Sequence, residues 1–435
     1  MVSARGAPPE PFHRWIHYKQ GFSPGLVRLF LQEQAGRFHR PNALPLLDPF
    51  AGSGTVTIEC ARRGVPAIGV EALASLAFLA NARSEREMPP WPEALAREYP
   101  ILGGTRPAQD GMPALKPGML KASQDMAAAR AAMPPERRSA VAIGWESIAD
   151  RLTHPLHRAA LMLAVGRRHT SSGRLNRGAD PFLQVLDDVL TMIREDLLQP
   201  LTIANVVHEG DARCLTMIDD QSIGGILTSP PYISRHDYAS IAAPYERVYR
   251  HWFPPGESNR PRETQMAGRV KPGASSRAAG FSPRGDAHPP RAAGFSPRDD
   301  APPRRAAGFS PRDERRFASG TSVPDPAREA ADQLEAIGER KLAAEVRAYF
   351  VDLAQVLSEC HRVLAPGGIC WMVIGGARLK DVHIPSDIIV AEQAESIGFD
   401  IETVRVAREV TNSRRKFGRI GHIAPRESVI VVTKR

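Results

Sequence analysis

Residues 229–232, Ser-Pro-Pro-Tyr, combine two prolines with a hydroxyl and an aromatic ring directly after the apolar segment 226–228. Two successive prolines fix the backbone and cannot continue a ladder, so we expect a rigid loop at the end of a strand. Open α/β sheets bind ligands at the carboxyl ends of their strands. There, the Ser229 hydroxyl and the Pro230 carbonyl can accept hydrogen bonds from an aromatic amine and favour a nucleophilic nitrogen. Tyr232 offers a face on which an aromatic base can stack. We call residues 229–232 the proline loop.

A second pattern, DPFAGSGT at residues 48–55, follows the apolar segment 44–47, and we call it the glycine loop. Gly52 and Gly54 allow close approach of a cofactor to the backbone, because glycine has no Cβ. The next apolar segment, 67–70, ends at Glu71, a carboxylate suited to ribose hydroxyls. This is the opening βαβ unit of a nucleotide-binding sheet. The absence of a third glycine in G-x-G-x-x-G form argues against NAD.

In this order, the two loops resemble those of DNA methyltransferases that use S-adenosyl-L-methionine (SAM) to methylate exocyclic amines. A serine before Pro-Pro-Tyr is similar to the N4-cytosine branch. The resemblance covers about residues 12–82, 205–255 and 340–435. It implies an α/β Rossmann-like fold with a seven-stranded, mostly parallel sheet, and methyl transfer from SAM to the N4 amine of cytosine in DNA. A duplex base must be extruded for this reaction.

The resemblance also implies roles for individual residues. The catalytic candidates are Ser229, Pro230, Pro231 and Tyr232, with no metal ion. The cofactor-binding candidates are Phe22, Ser23, Asp48, Phe50, Gly52, Gly54, Thr55, Glu71 and Asp211. Among them, Glu71 corresponds to the acid that binds ribose, Asp211 to the acid that binds the adenine amine, and Phe22-Ser23-Pro24 to the segment at the methionine end of SAM.

Several of these residues have a simpler structural interpretation. Asp211 can be only a turn or helix-capping residue, and Phe22 can be only a core aromatic. The basic stretch 412–416 either contacts DNA phosphate or is a solvated loop.

Three alternatives to this function stay open. N6-adenine methylation uses the same apparatus, although an aspartate before Pro-Pro-Tyr is commoner there. RNA and protein amine methyltransferases often carry Asn-Pro-Pro-Tyr, so Ser229 disfavours them. A catalytically inactive DNA-binding protein is the alternative from another class, and the intact glycine and proline loops argue against it. The sequence does not decide whether a cognate restriction endonuclease accompanies the protein.

Composition limits the class of protein. The chain has 435 residues and a formal net charge of +9, which suits a polyanionic partner such as DNA. Its four cysteines show no CxxC spacing, which argues against a structural zinc site and a disulfide framework. We expect a cytoplasmic, nucleoid-associated protein, since no apolar leader and no apolar run of 18 residues is present.

The two halves of the expected methyltransferase domain, 1–87 and 205–435, are separated by 88–204. This insert is predicted to be mostly helical, with patterns at 154–168 and 181–198, and we favour it for target recognition. In the second half we expect strands at 206–208, 369–374, 401–406 and 429–433 and a helix at 384–396. One long helix is expected at 327–364, ended by Pro366-Gly367-Gly368. Ser23 and Pro24 are predicted to begin an earlier helix.

Two further features depart from the family pattern. Gly224-Gly225 occupies a strand position where many members carry an acid, and should weaken that strand. Within about 255–325, RAAGFSPR repeats at 277–284, 291–298 and 305–312, a period too short and too polar for a solenoid. We expect a disordered loop there, with a basic arm that contacts DNA phosphate as the alternative.

Overall fold

The computed structural model describes residues 10–16, 21, 23–38, 43–99, 145–170, 181–233, 238–253, 325–409 and 426–435. The predictions made for Phe22, for the repeat region and for the stretch 412–416 lie outside these residues. No helix in the described ranges is long and apolar enough to cross a membrane.

A seven-stranded sheet forms the centre of the protein. The strands, in chain order, are β1 (Leu46–Asp48), β2 (Ala67–Glu71), β3 (Val206–Glu209), β4 (Ile223–Thr228), β5 (Leu364–Gly375), β6 (Ala377–Leu379), β7 (Val382–Ile384), β8 (Phe399–Glu409) and β9 (Arg426–Lys434). The sheet order is β3-β2-β1-β4-β5-β9-β8, while β6 and β7 form a separate hairpin. Neighbours from β3 to β5 are parallel, and β9 runs antiparallel to both β5 and β8. The predicted seven-stranded, mostly parallel Rossmann-like α/β sheet is therefore confirmed.

Helices cover both faces of this sheet. They are Pro24–Glu33, Ala35–Phe38, Thr55–Ala61, Ala74–Ala82, Glu93–Glu98, Trp145–Ala149, Pro155–Thr170, Pro181–Leu197, Tyr238–Trp252, Asp325–Ala336, Arg340–Val363 and Ser386–Ile397. Successive strand residues enter opposite cores, as the pleat requires. Leu46 and Trp371 pack with Phe30 on one face, while Leu47 and Met372 belong to the core on the other. Strands buried on both faces explain the continuous apolar runs in the sequence.

The prediction of one long helix at 327–364 is wrong. Two helices occur, Asp325–Ala336 and Arg340–Val363, separated by Gly338 in a left-handed conformation (φ 83°). Folding back lets Leu334 and Val346, one from each helix, enter the same core. The second helix also ends at Val363, before the predicted stop at 366–368, because Leu364 already belongs to β5.

The start of the first helix agrees only in part with the prediction. Pro24 is its first residue, but the Ser23 side chain makes no capping hydrogen bond. The Leu26 amide instead donates to the Ser23 carbonyl at 3.0 Å. The hairpin of β6 and β7 and the helix Tyr238–Trp252 were not predicted.

Gly225 of β4 marks a close approach of the helical layer to the sheet. A Cβ at this position would lie 2.6 Å from Cζ of Phe38. The Gly-Gly pair that departs from the family pattern therefore makes room for Phe38, which is buried against Phe30 at a ring-centroid distance of 5.8 Å.

The described parts of the insert are largely helical, as predicted. Its helices Pro155–Thr170 and Pro181–Leu197 share one hydrophobic cluster with Ala74–Ala82 and with Tyr238–Trp252, which follows the proline loop. Gly166 lies so close to Tyr245 that a Cβ would meet the ring at 2.1 Å. The insert thus forms a packed flank of the sheet domain.

Candidate active site

The glycine loop and the proline loop meet at the carboxyl ends of β1 and β4, which are adjacent parallel strands. The Thr228 hydroxyl, one residue before the proline loop, donates a 2.7 Å hydrogen bond to Oδ1 of Asp48. Both groups are buried. The sheet order places β2 and β3 on one side of β1 and β4 on the other, so the strand order reverses here, and this is the point at which such sheets open a ligand crevice. Two motifs 180 residues apart in sequence therefore form one site.

Backbone hydrogen bonds and one close packing contact fix the shape of the glycine loop. The Ala51 amide donates to the Val70 carbonyl at 2.9 Å, and the Gly54 amide donates to the Ala51 carbonyl at 2.7 Å. Gly54 has a φ of 78°, and a Cβ there would lie 2.9 Å from that of Ala80. A side chain at this position is therefore disfavoured by both backbone conformation and space.

Glu71 lies beside the glycine loop at the end of β2. Its Oε2 accepts the Gly52 amide at 2.8 Å and its Oε1 accepts the Leu73 amide at 2.9 Å. These bonds hold the carboxylate across the mouth of the loop. Carboxylate oxygens accept hydrogen bonds from hydroxyl groups, so the chemistry of Glu71 at this position suits a ribose diol.

Asp48 is a buried acid at the centre of this junction. Burial raises its pKa from 3.8 to about 7, against the opposing effects of the Thr228 hydrogen bond and the Phe50 amide, and the negative charge of Glu71 raises it further. The Phe50 amide donates to Asp48 Oδ1 at 3.1 Å, and the Phe50 side chain packs against the core. The charge of Asp48 therefore changes near neutral pH.

Asp211 follows β3 at the same edge of the sheet. Its carboxylate accepts the Arg213 amide at 2.9 Å and the Arg213 guanidinium at 2.6 Å, and Arg213 also binds Asp352. The hydrogen bonds to Asp211 raise the pKa of Arg213. Asp211 thus has the turn geometry of the simpler interpretation. Its predicted contact with adenine would have to be made in addition to this ion pair.

The proline loop is anchored through its last two residues, Pro231 and Tyr232. The Tyr349 hydroxyl donates to the Pro231 carbonyl at 2.8 Å, and the Tyr232 hydroxyl donates to Oε1 of Glu427 at 2.7 Å. Within the described part of the chain, the Ser229 hydroxyl and the Pro230 carbonyl have no hydrogen-bond partner. No described residue therefore occupies the two acceptors proposed for a substrate amine.

The remaining cofactor candidates lie around this junction in different ways. Thr55, the last residue of the glycine loop, is the first residue of the helix Thr55–Ala61. Ser23 is buried at the start of Pro24–Glu33, a helix that packs on the sheet through Val27 and Phe30. Phe22, the neighbouring cofactor-binding candidate, lies outside the described residues.

Arg83 was not found from the sequence, yet it supports the glycine loop. Its Nη1 donates to the Ser53 carbonyl, and its guanidinium lies 5.7 Å from the centre of the Trp15 ring. Arg83 is 1% exposed, and burial lowers its pKa to about 10. Its Nε and Nη2 have no hydrogen-bond partner among the described residues. Nothing in the local sequence distinguishes this arginine from a surface residue.

The insert reaches the same cluster through Asp196, which is fully buried. Oδ2 of Asp196 accepts the Phe12 amide at 2.6 Å and the Trp15 indole N–H at 2.8 Å, and Oδ1 accepts Arg14. The N-terminal segment is therefore tied to the insert on one side and to Arg83 on the other. This gives the insert a structural connection to the glycine loop.

Comparison with known proteins places these loops in a wider context. No family model matches the chain. The type II methyltransferase M.BsoBI of Geobacillus stearothermophilus is 22% identical over 483 aligned residues, covering 100% of this chain and 88% of that protein. The type II methyltransferase M.AvaI of Nostoc sp. is 23% identical over 486 residues, covering 100% and 89%.

Solved structures match weakly. A proposed DNA modification methylase of Thermus thermophilus, complexed with SAM, is 22% identical, with a TM-score of 0.18 over 21% of this chain and 39% of that one. The rRNA methyltransferase aviRa of Streptomyces viridochromogenes is 11% identical, with a TM-score of 0.27 over 99% of this chain and 88% of that one. The protein's own strand order, β3-β2-β1-β4-β5-β9-β8, defines its fold. The full-length similarity to type II methyltransferases, together with the joined glycine and proline loops, confirms the resemblance of this chain to the DNA methyltransferase family.

Proposed function

We propose that the protein transfers the methyl group of SAM to the exocyclic N4 amine of cytosine at a specific sequence in DNA. SAM-dependent DNA methylation is the activity that the full-length relationship supports. The choice of cytosine N4 is supported by Ser229, which stands where adenine enzymes commonly carry an aspartate. The observation that carries the proposal is the Thr228–Asp48 hydrogen bond, because it joins a nucleotide-binding loop to a loop of oxygen acceptors.

Different residues are proposed to bind the cofactor, the amine and the base. Glu71 and the glycine loop would hold the nucleoside part of the cofactor, and Asp48, the first residue of that loop, connects it to the proline loop through Thr228. When bound, SAM supplies an electrophilic methyl group on its sulfonium. Ser229 and the Pro230 carbonyl accept hydrogen bonds from the amine, which localises the nitrogen lone pair. Tyr232 stacks on the base after it has left the duplex. Asp211 as a ligand of adenine in the cofactor stays a prediction.

The product identifies the reaction. Purified protein is incubated with unmethylated DNA and SAM, and the digested DNA is analysed by mass spectrometry for methylated nucleosides. N4-methylcytosine is the expected product. Finding N6-methyladenine would refute the assignment of the base but keep the mechanism, and an absence of methylated base under all conditions would favour the inactive DNA-binding alternative.

Ser229→Ala tests the role of the hydroxyl. A hydrogen bond that strengthens in the transition state should appear mainly in kcat, and its loss should lower kcat by roughly tenfold while SAM affinity is unchanged. Ser396→Ala is a matched control, since that hydroxyl only caps its own helix at Gln393. Wild-type kcat in Ser229→Ala would remove the hydroxyl from the reaction.

Adenine N6 is the second candidate, because the same loop architecture serves both amines. The region that reads the DNA sequence also stays a proposal. The insert is favoured, although the helical faces that it buries against the sheet domain are not available for DNA. A cognate restriction endonuclease and association with the nucleoid are further predictions that accompany the proposed function.

A further inference from the structure

We propose that Glu427 is a positioning residue for Tyr232, and that it holds the tyrosine ring in advance at the angle required for stacking on the extruded base. This inference rests on the proposed function, since a prepared stacking face is useful only if a base leaves the duplex. Glu427 lies in the last strand of the sheet and is 195 residues away from Tyr232 in sequence.

The hydrogen bond between Tyr232 and Glu427 joins parts of the sheet that are not neighbours. Tyr232 follows β4, and Glu427 lies in β9, with β5 between them. At this level β5 ends at Gly375, which pairs with Glu427 and has no side chain. The Tyr232 hydroxyl donates across this end to Oε1 of Glu427 at 2.7 Å. The phenol ring is therefore fixed at both ends, by the rigid proline loop and by the distal hydrogen bond.

Glu427 itself is held from its other side. It is 5% exposed, and Arg408 of the neighbouring strand β8 donates from Nε to Oε2 at 2.5 Å. The two residues are direct cross-strand partners. A buried carboxylate without a cation is unfavourable, so Arg408 stabilises the position from which Glu427 accepts the phenol. Each carboxylate oxygen has its own donor, which fixes the orientation of the group.

Holding the Tyr232 ring in advance should strengthen the binding of the extruded base. A side chain that is immobile before the base arrives loses less conformational entropy on stacking, and ordering one such side chain changes affinity by roughly threefold to tenfold. Loss of the anchor should therefore reduce productive DNA engagement, while the ring face itself remains. The described hydrogen bonds of the Glu427 side chain go to Tyr232 and Arg408 and not to the glycine loop, so SAM affinity should not change.

The test compares Tyr232→Phe, Glu427→Met, which keeps the side-chain length but has no oxygen acceptor, the double variant and Tyr232→Ala in the full-length protein. Initial rates are measured on unmethylated DNA, with SAM affinity by calorimetry and melting temperature alongside. Tyr232→Phe keeps the ring and removes only the hydroxyl. Each single variant should lower kcat/KM for DNA by roughly threefold to tenfold, with SAM affinity unchanged. The double variant should be no worse than either single variant, because both remove the same contact.

Asp400→Asn is the control, since it breaks an exposed ion pair with Arg435 at the opposite end of β8. Full activity of Tyr232→Phe together with loss in Tyr232→Ala would overturn the positioning role and leave stacking intact. Additive losses in the double variant would also overturn it, because the two residues would then act separately. Full activity of Tyr232→Ala would instead show that the stacking role in the proposed function is wrong.

Discussion

Replacement of Asp48 by asparagine should change how the stability of the protein depends on pH. Burial raises the pKa of Asp48 from 3.8 to about 7, so the folded protein favours the protonated acid. An acid whose pKa is higher in the folded than in the unfolded protein contributes fully to the free energy of unfolding at pH values below its pKa in the unfolded state. This contribution is lost as the pH rises through its pKa in the folded state. Asparagine is neutral at every pH and can still accept the Thr228 hydroxyl.

The size of the effect follows from the two pKa values. Between pH 5 and pH 8, ionisation of Asp48 should cost the wild-type protein roughly 2–3 kcal/mol of stability that the asparagine variant does not lose. Most of this loss falls below pH 7, since the unfolded chain releases the proton while the folded protein retains it. Thr228→Val removes a hydrogen bond that lowers the pKa. It should therefore extend the pH-dependent loss to higher pH.

Urea unfolding at pH 5, 6, 7 and 8 measures these differences directly. The stability of Asp48→Asn relative to wild type should increase steadily across this range. Glu93→Gln serves as the control, because this exposed acid pairs with Arg97 on the same helix, and its effect should be small at every pH. A constant difference between wild type and Asp48→Asn from pH 5 to 8 would refute the proposal that Asp48 titrates near neutrality.

Two further substitutions test the glycine loop. Gly52→Asp should abolish SAM binding in calorimetry, because it places a carboxylate beside Glu71 at the mouth of the loop. Gly338→Asp is the control and should bind SAM normally, since Gly338 also has a positive φ but no atom lies near its Cβ position. Equal SAM binding by both variants would exclude the loop from the site. Arg83→Met should weaken SAM binding several-fold without lowering the melting temperature, because it removes the donor to Ser53 and also relieves a buried, partly unpaired charge. A large fall in melting temperature, with normal SAM affinity in the folded fraction, would make Arg83 a purely structural residue.

The failure over residues 327–364 shows a limit of sequence periodicity. Two amphipathic helices that fold back on each other both present apolar residues to one core, and their combined pattern is indistinguishable from that of one long helix. Gly338 was the only local signal of the break, and an isolated glycine inside a helical pattern is ambiguous. The end of the second helix was misplaced for a similar reason, since Leu364 is apolar enough for either helix or strand.

The sequence alone was sufficient to locate the glycine loop and the proline loop as candidate parts of the site. The glycine loop and the proline loop are short, and their function depends on backbone freedom, fixed φ angles and side-chain chemistry at neighbouring positions. The central strands β1, β4 and β5 could be recognised because burial on both faces leaves continuous apolar runs. These properties are local, so they predicted the fold class and the family.

Only the tertiary structure decided how these parts support one another. The contacts of Thr228 with Asp48, of Tyr232 with Glu427 and of Arg83 with Ser53 join residues that no spacing in the chain relates. The first two exist because strand order brings the carboxyl ends of β1, β4 and β5 and the start of the antiparallel β9 to one edge of the sheet. Hydrogen bonds between side chains need only proximity and orientation, and these are set by packing rather than by any pattern along the sequence.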